Sequence, residues 1–171
     1  MCCRPKEPWE ATDGALFMIR ELATVDPERA CSFLTAASDI ASMRHFTHSN
    51  NLRETLWMCL PQIASAVGKK AFKPYLELYL GPMFRDLQCD HQLCECAAGL
   101  CIAAMRDLLG SAVFMSRLDD VQIRILDSNP LVPAPKQVRS ACSSASQPGS
   151  LAAMMSTLPP GSAIPYLLGH R

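Results

Sequence analysis

Residues 72–87 read FKPYLELYLGPMFRDL, a stretch in which apolar side chains recur with the spacing of a helix. The apolar positions are Phe72, Tyr75, Leu76, Tyr79, Leu80, Met83, Phe84 and Leu87. Recurrence at i, i+3, i+4 and i+7 is typical of a helix that buries one face. Lys73 and Glu77 lie four residues apart on the opposite face, which we expect to be solvated. The stretch therefore predicts an amphipathic helix, bent or interrupted at Gly81-Pro82.

Five further segments between residues 8 and 127 carry the same periodicity and predict an all-α fold. They start at about residues 8, 26, 51, 92 and 112 and end at about residues 24, 43, 67, 109 and 127. Asp26 caps the second segment, and Pro27 suits its first turn. The segment at residues 92–109 is apolar around most of its circumference, with a solvated edge at Glu95 and Arg106. On the first segment, which starts at about residue 8, we expect one apolar face made of Ala15, Met18, Leu22 and Val25.

The C-terminal residues differ from the helical segments in composition. Residues 128–171 hold seven of the thirteen prolines, many serines and alanines, and almost no charge. The prolines at positions 130, 133 and 135 deny the backbone a helix after Asp127. We therefore divide the chain into an N-terminal tail over residues 1–7, a helical array over residues 8–127, and a largely disordered tail over residues 128–171.

The helical segments also repeat along the chain. An offset of 42 residues places Gly68 on Gly110 and Phe72 on Phe114, and the predicted helix ends and apolar stripes move together with these pairs. Repeats of this length are typical of units made of two or three helices. Such units bury their apolar faces by stacking on their neighbours, which predicts a solenoid rather than a closed bundle.

Residues 52–68, LRETLWMCLPQIASAVG, resemble the second helix of a HEAT repeat, which begins with an apolar residue, Arg and Glu and closes with Gly. Residues 92–100, QLCECAAGL, are similar, and residues 75–90 resemble a first helix followed by its Asp-containing turn. Residues 9–16, WEATDGAL, look like another second helix. The resemblance covers residues 8–127 and implies an armadillo-like α-solenoid of about six helices that serves as a binding scaffold.

This resemblance leaves a helix without its partner at each end of the array. The array begins on a second helix and ends on a first helix at residues 112–127, so we expect a fragment or variant of a longer HEAT-repeat protein. No following helix then packs on the apolar stripe of that last helix. The stripe consists of Phe114, Leu118, Val121 and Ile125. We expect the stripe to be exposed and to recruit a partner or cause self-association.

Composition and motifs exclude several classes of function. Sixteen basic and sixteen acidic residues cancel, whereas nucleic-acid binding relies on excess positive charge. No apolar run reaches the ~18 residues of a membrane span, and the N-terminus lacks the apolar core of a signal peptide. We therefore predict a cytoplasmic or nuclear protein that binds neither nucleic acid nor membrane. No phosphate loop, nucleophile elbow or metalloprotease helix occurs in the sequence, so we expect no catalysis and no cofactor.

Cys89, His91, Cys94, Cys96 and Cys101 form the densest group of metal-ligating residue types. A structural zinc ion needs four such ligands in a tetrahedron. Cys94 and Cys96 would lie about 200° apart around one helix, and Cys94 and Cys101 would lie two turns apart, so neither pair can share a metal. We therefore expect free, packing thiols and no bound metal. A thiol or zinc sensor is the alternative.

Protein binding is the function that remains, and its candidate residues lie at predicted turns and on the last helix. They are Arg44, His45, His48, Asn50, Arg85, Asp90, His91, Leu118 and Ile125. A tubulin-binding HEAT array of the TOG-like kind is a further alternative, because such arrays contact tubulin through basic residues in their intra-repeat turns. Acidic residues at the same turns, Asp86 and Asp90, and the lack of a turn tryptophan argue against tubulin.

The helix assignments predict the circular dichroism of the purified chain. The spectrum should show a helix content well above the ~30–35% typical of soluble domains, without a strand signal. A substantial β content would contradict the all-α assignment and, with it, the repeat.

Overall fold

The computed structural model describes residues 7–132, and the fold is all-α, with no strand in this part of the chain. The helices are α1 (Pro8–Val25), α2 (Pro27–Ser42), α3 (Ser49–Val67), α4 (Lys69–Phe72), α5 (Leu76–Asp86), α6 (Gln92–Leu109), α7 (Ser111–Met115) and α8 (Asp120–Ser128). The predicted all-α class is confirmed for these residues, although eight helices take the place of the predicted six. None of these helices combines the length and the apolar character needed to cross a bilayer.

Two predicted segments fall mostly outside the described residues. The N-terminal tail is described at Glu7 alone, and only residues 128–132 of the predicted C-terminal tail are described. After α8 the chain folds back onto the helices. The Asn129 side chain donates a hydrogen bond to the carbonyl oxygen of Leu87 at 3.4 Å, and Val132 is buried.

Gly99 in α6 makes room for this return of the chain. A Cβ atom at residue 99 would lie 3.3 Å from the carbonyl oxygen of Leu131 and 3.4 Å from Cδ1 of Leu87. Closely packed interiors have no space to absorb such a contact without a shift. The absence of a side chain at Gly99 therefore lets the segment after α8 lie directly on α6.

Side-chain caps start α2 and α8. The Asp26 carboxylate accepts a hydrogen bond from Arg29 N at 3.0 Å, and Pro27 occupies the first helical position, as predicted. At α8, Asp119 Oδ1 accepts from Gln122 N at 2.7 Å, while Gln122 Oε1 accepts from Asp119 N at 3.2 Å. This reciprocal capping box begins a new helix, so the single helix predicted over residues 112–127 is wrong and is split into α7 and α8.

The stretch at residues 72–87 also breaks at a point other than the predicted one. α4 ends at Phe72, α5 begins at Leu76, and the helix then continues through Gly81-Pro82. Pro74 explains the break, because it has no N–H to donate to the helix ladder. Pro82 removes one hydrogen bond as well, but it is buried on the packed face of α5, where its contacts offset that loss.

α3 lies at the centre of the packing. It makes its most extensive contacts with α6 on one side and α1 on the other, and α2 packs against both α1 and α3. α5 contacts α2 and α6. The helices α1, α3 and α6 are therefore neighbours in series, and α2 and α5 pack against them and against each other.

A cluster of aromatic side chains fills the space between these helices. Trp57 and Tyr79 meet edge to face with ring centroids 6.4 Å apart, and Phe72 stacks on Tyr79 at 6.2 Å. The Tyr79 hydroxyl donates a hydrogen bond to the carbonyl oxygen of Leu34, and burial raises the pKa of Tyr79. The three aromatic residues come from α3, α4 and α5, and the hydrogen bond to Leu34 adds α2. These contacts therefore join four helices.

The apolar face predicted for α1 is not the face that the helix buries. Leu16 and Ala23 are buried, whereas Met18 is 73% exposed and Val25 is 84% exposed. Ala15, the remaining end of the predicted stripe, is also exposed. α1 carries two apolar stripes, and helical periodicity cannot say which of them meets α2 and α3.

The apolar circumference predicted for α6 is buried only in part. Its buried side holds Cys94, Ala98, Cys101 and Met105, while Leu93 and Leu100 are 60% and 64% exposed. Arg106, predicted at a solvated edge, is buried. The large contact between α6 and α3 covers the cysteine side of the helix and leaves the leucine side in water.

The stripe expected to be exposed at the end of the array is mostly covered. Phe114 is fully buried, and Leu118 and Ile125 are half-buried and pack against the core. Val121 alone of the four is largely exposed, at 58%. The expected continuous stripe is wrong because the turn between α7 and α8 breaks the helical register on which it depended.

A pair of substitutions tests the face assignment of residues 72–87. Leu76 is 1% exposed and Lys73 is exposed. Leu76→Ala should lower the free energy of unfolding by ~2–5 kcal/mol, because it removes buried methyl groups and leaves a cavity. Lys73→Ala should change it by less than ~0.5 kcal/mol. Equal losses in denaturant titrations of the two variants would show that the face is misassigned.

Candidate functional site

The Asp86 carboxylate, at the C-terminal end of α5, is the centre of a buried polar network. The side chain is 1% exposed. Arg53 Nε, from α3, donates to both carboxylate oxygens, at 3.1 Å to Oδ1 and 2.9 Å to Oδ2. Trp57 Nε1, one turn further along α3, donates to Oδ2 at 2.7 Å. Two residues of one helix face therefore hold a carboxylate that comes from another helix.

The loop after α2 completes the network. Arg44 places a guanidinium nitrogen 3.0 Å from Asp86 Oδ1, and it also donates to the carbonyl oxygens of Ala41 and Met43 at 2.9 and 2.8 Å. Arg53 donates to the Met43 carbonyl oxygen as well. The exit of α2, the start of α3 and the end of α5 are thereby joined through one carboxylate.

Two cations and one anion meet in this network, which leaves a net charge of +1 in a largely dry site. A buried ion is costly unless its partners neutralise it and satisfy its hydrogen bonds. Burial lowers the pKa of Arg44, and the Asp86 carboxylate opposes that shift. The Arg53–Asp86 pair is almost completely buried, so the network links helices and is not a surface ion pair.

Two thiols lie close to the Asp86 carboxylate. The Sγ atoms of Cys89 and Cys94 and a carboxylate oxygen of Asp86 all lie within 4.8 Å of one another. Cys89 follows α5 and is half-buried, whereas Cys94 is in the first turn of α6 and is buried. Cys96 and Cys101, from the cluster predicted in the sequence, are not members of this group. The structure thus brings together two of the four clustered thiols with a carboxylate that sequence spacing did not indicate.

The turn between the two cysteines is held by His91. Its Nδ1 accepts a hydrogen bond from Cys94 N at 3.3 Å and so caps α6, and the Cys89 thiol donates to the His91 carbonyl oxygen at 3.6 Å. Burial, with the nearby Asp86 and Cys89, raises the pKa of the Cys94 thiol to about 12. Burial also raises the pKa of Cys101. The thiols of Cys94 and Cys101 are therefore protonated at neutral pH.

A shallow pocket of about 430 Å³ lies between the start of α1 and the loop after α2. Trp9 stacks on His48 with ring centroids 4.6 Å apart and an interplanar angle of 17°. His48 Nε2 lies 3.6 Å from Glu7 Oε2. His48, which was predicted as a partner-binding residue, is thus engaged with α1.

A second, open surface lies on the exposed side of α1. It is lined by Phe17, Met18, Glu21, Leu22 and Val25, and it includes most of the stripe that was expected to be buried. Glu21 is its one charged residue. We call this surface the α1 groove.

The predicted partner-binding residues separate into structural and exposed ones. Arg44 and Asn50 belong to the Asp86 network, because Asn50 Oδ1 accepts from Arg53 at 2.7 Å, and His91 caps α6. The exposed ones are His45, Arg85 and Asp90. Sequence reasoning missed the central residues Arg53, Trp57 and Asp86, because Asp86 is 33 and 29 residues from its two partners, too far for any helical spacing to connect them.

Comparisons with known proteins give no relative from which a role could be carried over. No family model matches the chain, and it matches neither a curated protein nor a solved structure. Two features of the described residues bear on function. One is the buried Asp86 network with its adjoining thiols, and the other is the uncovered α1 groove.

Removing the charge of Asp86 should unbalance the network. Asp86→Asn leaves Arg53 buried without a counter-ion, which is expected to cost ~3–5 kcal/mol in the free energy of unfolding. Asp90→Asn makes the same chemical change at an exposed site four residues later and should cost less than ~0.5 kcal/mol. Urea unfolding followed by Trp fluorescence measures both. A loss for Asp86→Asn as small as that for Asp90→Asn would show that the network contributes little.

Proposed function

We propose that this chain is a non-catalytic protein-binding scaffold built from HEAT-like helical hairpins. The serial contacts of α1, α3 and α6, with α2 and α5 packed against them, support this arrangement, because stacked hairpins place equivalent helices next to one another. The buried Arg53–Asp86 pair supports it as well, since it ties the helix that resembles one repeat to the turn of the next.

The α1 groove is the observation that carries the binding role. Met18 and Val25 are 73% and 84% exposed, and Phe17 is 38% exposed. Contiguous apolar side chains of this size are unfavourable in water, and patches that persist on a folded surface are typical of protein-binding sites. A helix packed into the groove would remove these side chains from water, as each helix of a solenoid does for its neighbour.

The chemistry of the buried residues favours a scaffold over an enzyme. Asp86 has its carboxylate occupied by Arg53, Arg44 and Trp57, and the His91 imidazole caps α6. Their polar atoms are thus used to hold helices in place. The six described cysteines are free thiols, which suits the reducing cytosol or nucleus, the compartments that we propose for this chain.

Tubulin binding is the weaker alternative, because Arg44 is already engaged. Its guanidinium contacts Asp86 and two backbone carbonyl oxygens, so it is committed to the fold. Of the two predicted basic turn residues, Arg85 is therefore the one left to contact an acidic partner. Co-sedimentation of the purified chain with microtubules separates the two proposals, since a general scaffold should remain in the supernatant.

Charge placed in the α1 groove should abolish partner binding without affecting the fold. The double variant Met18→Glu/Val25→Glu alters two exposed positions, so its helix content should equal that of the original chain. Proteins cross-linked to the tagged chain in cells should fall at least about tenfold in the variant, because an apolar interface does not tolerate buried unpaired charge.

Val121→Glu is the matched control, because Val121 is also exposed, at 58%, but lies on α8 outside the groove. It should leave the cross-linked proteins unchanged. If the groove variant and the control retain the same proteins, the groove does not bind a partner.

A further inference from the structure

The thiol pair beside Asp86 has the geometry of a metal site. Two sulfur atoms and one carboxylate oxygen, each within 4.8 Å of the other two, come from the end of α5, the following turn and the first turn of α6. Two sulfurs bound to one tetrahedral zinc ion lie ~3.8 Å apart, given a Zn–S distance of ~2.3 Å. An ion can therefore be reached by all three ligand atoms through small side-chain movements.

A disulfide fits the same thiols less well. Its sulfurs must approach to ~2.05 Å, with a restricted torsion about the S–S bond. Cys94 is held by its place in the first turn of α6, and Cys89 by the hydrogen bond of its thiol to His91 O. Bringing the two sulfur atoms to the distance of a disulfide bond therefore needs a larger movement than placing both of them around one shared ion.

Charge determines which ions suit the site. Arg44 and Arg53 already give the Asp86 network a net positive charge, so a hard cation held by the carboxylate alone would be repelled. A divalent ion that binds two thiolates adds no net charge, because the two deprotonated sulfurs cancel it. Thiolate ligands select thiophilic ions such as Zn²⁺ over Mg²⁺ or Ca²⁺.

The hydrogen bonds to Asp86 are compatible with its use as a ligand. Carboxylates that bind metals are usually held by outer partners that fix their orientation, and here Arg53 and Trp57 do so through hydrogen bonds to Oδ2. Arg44 is one-third exposed, so its contact with Oδ1 is the one that an ion would replace, while its hydrogen bonds to the carbonyl oxygens of Ala41 and Met43 keep Arg44 in place. Cys89 is half-buried and provides the route of entry.

We propose that Cys89, Cys94 and Asp86 bind one thiophilic divalent ion of the Zn²⁺ type, with the fourth coordination position open. Binding replaces two thiol protons by two metal–sulfur bonds, so M²⁺ enters as two protons leave and no electron is transferred. This replaces the expectation from the sequence that the thiols only pack. That expectation compared cysteines around a single helix, whereas the site uses a turn cysteine and the preceding helix. The proposal does not depend on partner binding at the α1 groove.

The test uses the full chain in reductant, with Cys2, Cys3 and Cys142 replaced by Ser because they lie outside the described residues. After treatment with a chelator, the protein is titrated with Zn²⁺ by calorimetry in two buffers of different ionisation enthalpy. The expected result is one ion per chain with release of up to two protons. Co²⁺ should give thiolate-to-metal charge-transfer absorption at the same stoichiometry.

Two single-cysteine variants make the assignment specific. Cys89→Ser should weaken Zn²⁺ binding by more than the ~10–100-fold typical of losing an outer-shell partner. Cys96→Ser, which removes another half-buried cysteine of the described residues, should leave the affinity unchanged. Because Cys89 is at a partly exposed turn, its variant should keep the helical circular dichroism of the parent.

Three outcomes would overturn the proposal. They are the absence of Zn²⁺ binding, an affinity that falls equally in Cys89→Ser and Cys96→Ser, and a Cys89–Cys94 disulfide that reductant but not chelator reverses. A folded Cys94→Ala variant that still binds Zn²⁺ with the original affinity would also exclude the site.

Discussion

The buried carboxylate of Asp86 is the point at which the loop after α2, the face of α3 and the end of α5 meet. It takes hydrogen bonds from Arg53, Trp57 and Arg44, which come from the middle helix and from the loop before it. Desolvating a carboxylate is strongly unfavourable unless all of these donors are in place. The loop after α2, the face of α3 and the end of α5 must therefore take up their positions together, and each is stable only because the others are present.

The same carboxylate relates the stability of the fold to its reactive groups. The carboxylate of Asp86 contacts the arginines and Trp57 and also adjoins Cys89 and Cys94. Burial, together with the Asp86 charge that joins α5 to α3, raises the pKa of Cys94. Chemistry at the α5–α6 turn is thus coupled to the packing of the central helices.

The two faces of α1 show that helical periodicity does not decide which of two apolar stripes is buried. Leu16 and Ala23 lie on one apolar stripe, and Met18 and Val25 lie on another, offset by a fraction of a turn. Both stripes satisfy helical periodicity, and only contact with α2 and α3 selects the first. The exposed stripe then becomes the α1 groove. α6 behaves in the same way, burying Cys94 and Cys101 while Leu93 and Leu100 remain in water.

The sequence alone determined the all-α class, the approximate extent of the long helices and the cap at Asp26, because these depend on interactions within a few residues of each other. The breaks at Pro74 and Asp119 also have local causes, a missing amide and a capping box, and a closer application of the same rules could have found them. The Arg53–Asp86 pair and the carboxylate beside the thiols could not be found in this way. They join residues that are distant along the chain and close only after the helices pack, and no local periodicity carries that information.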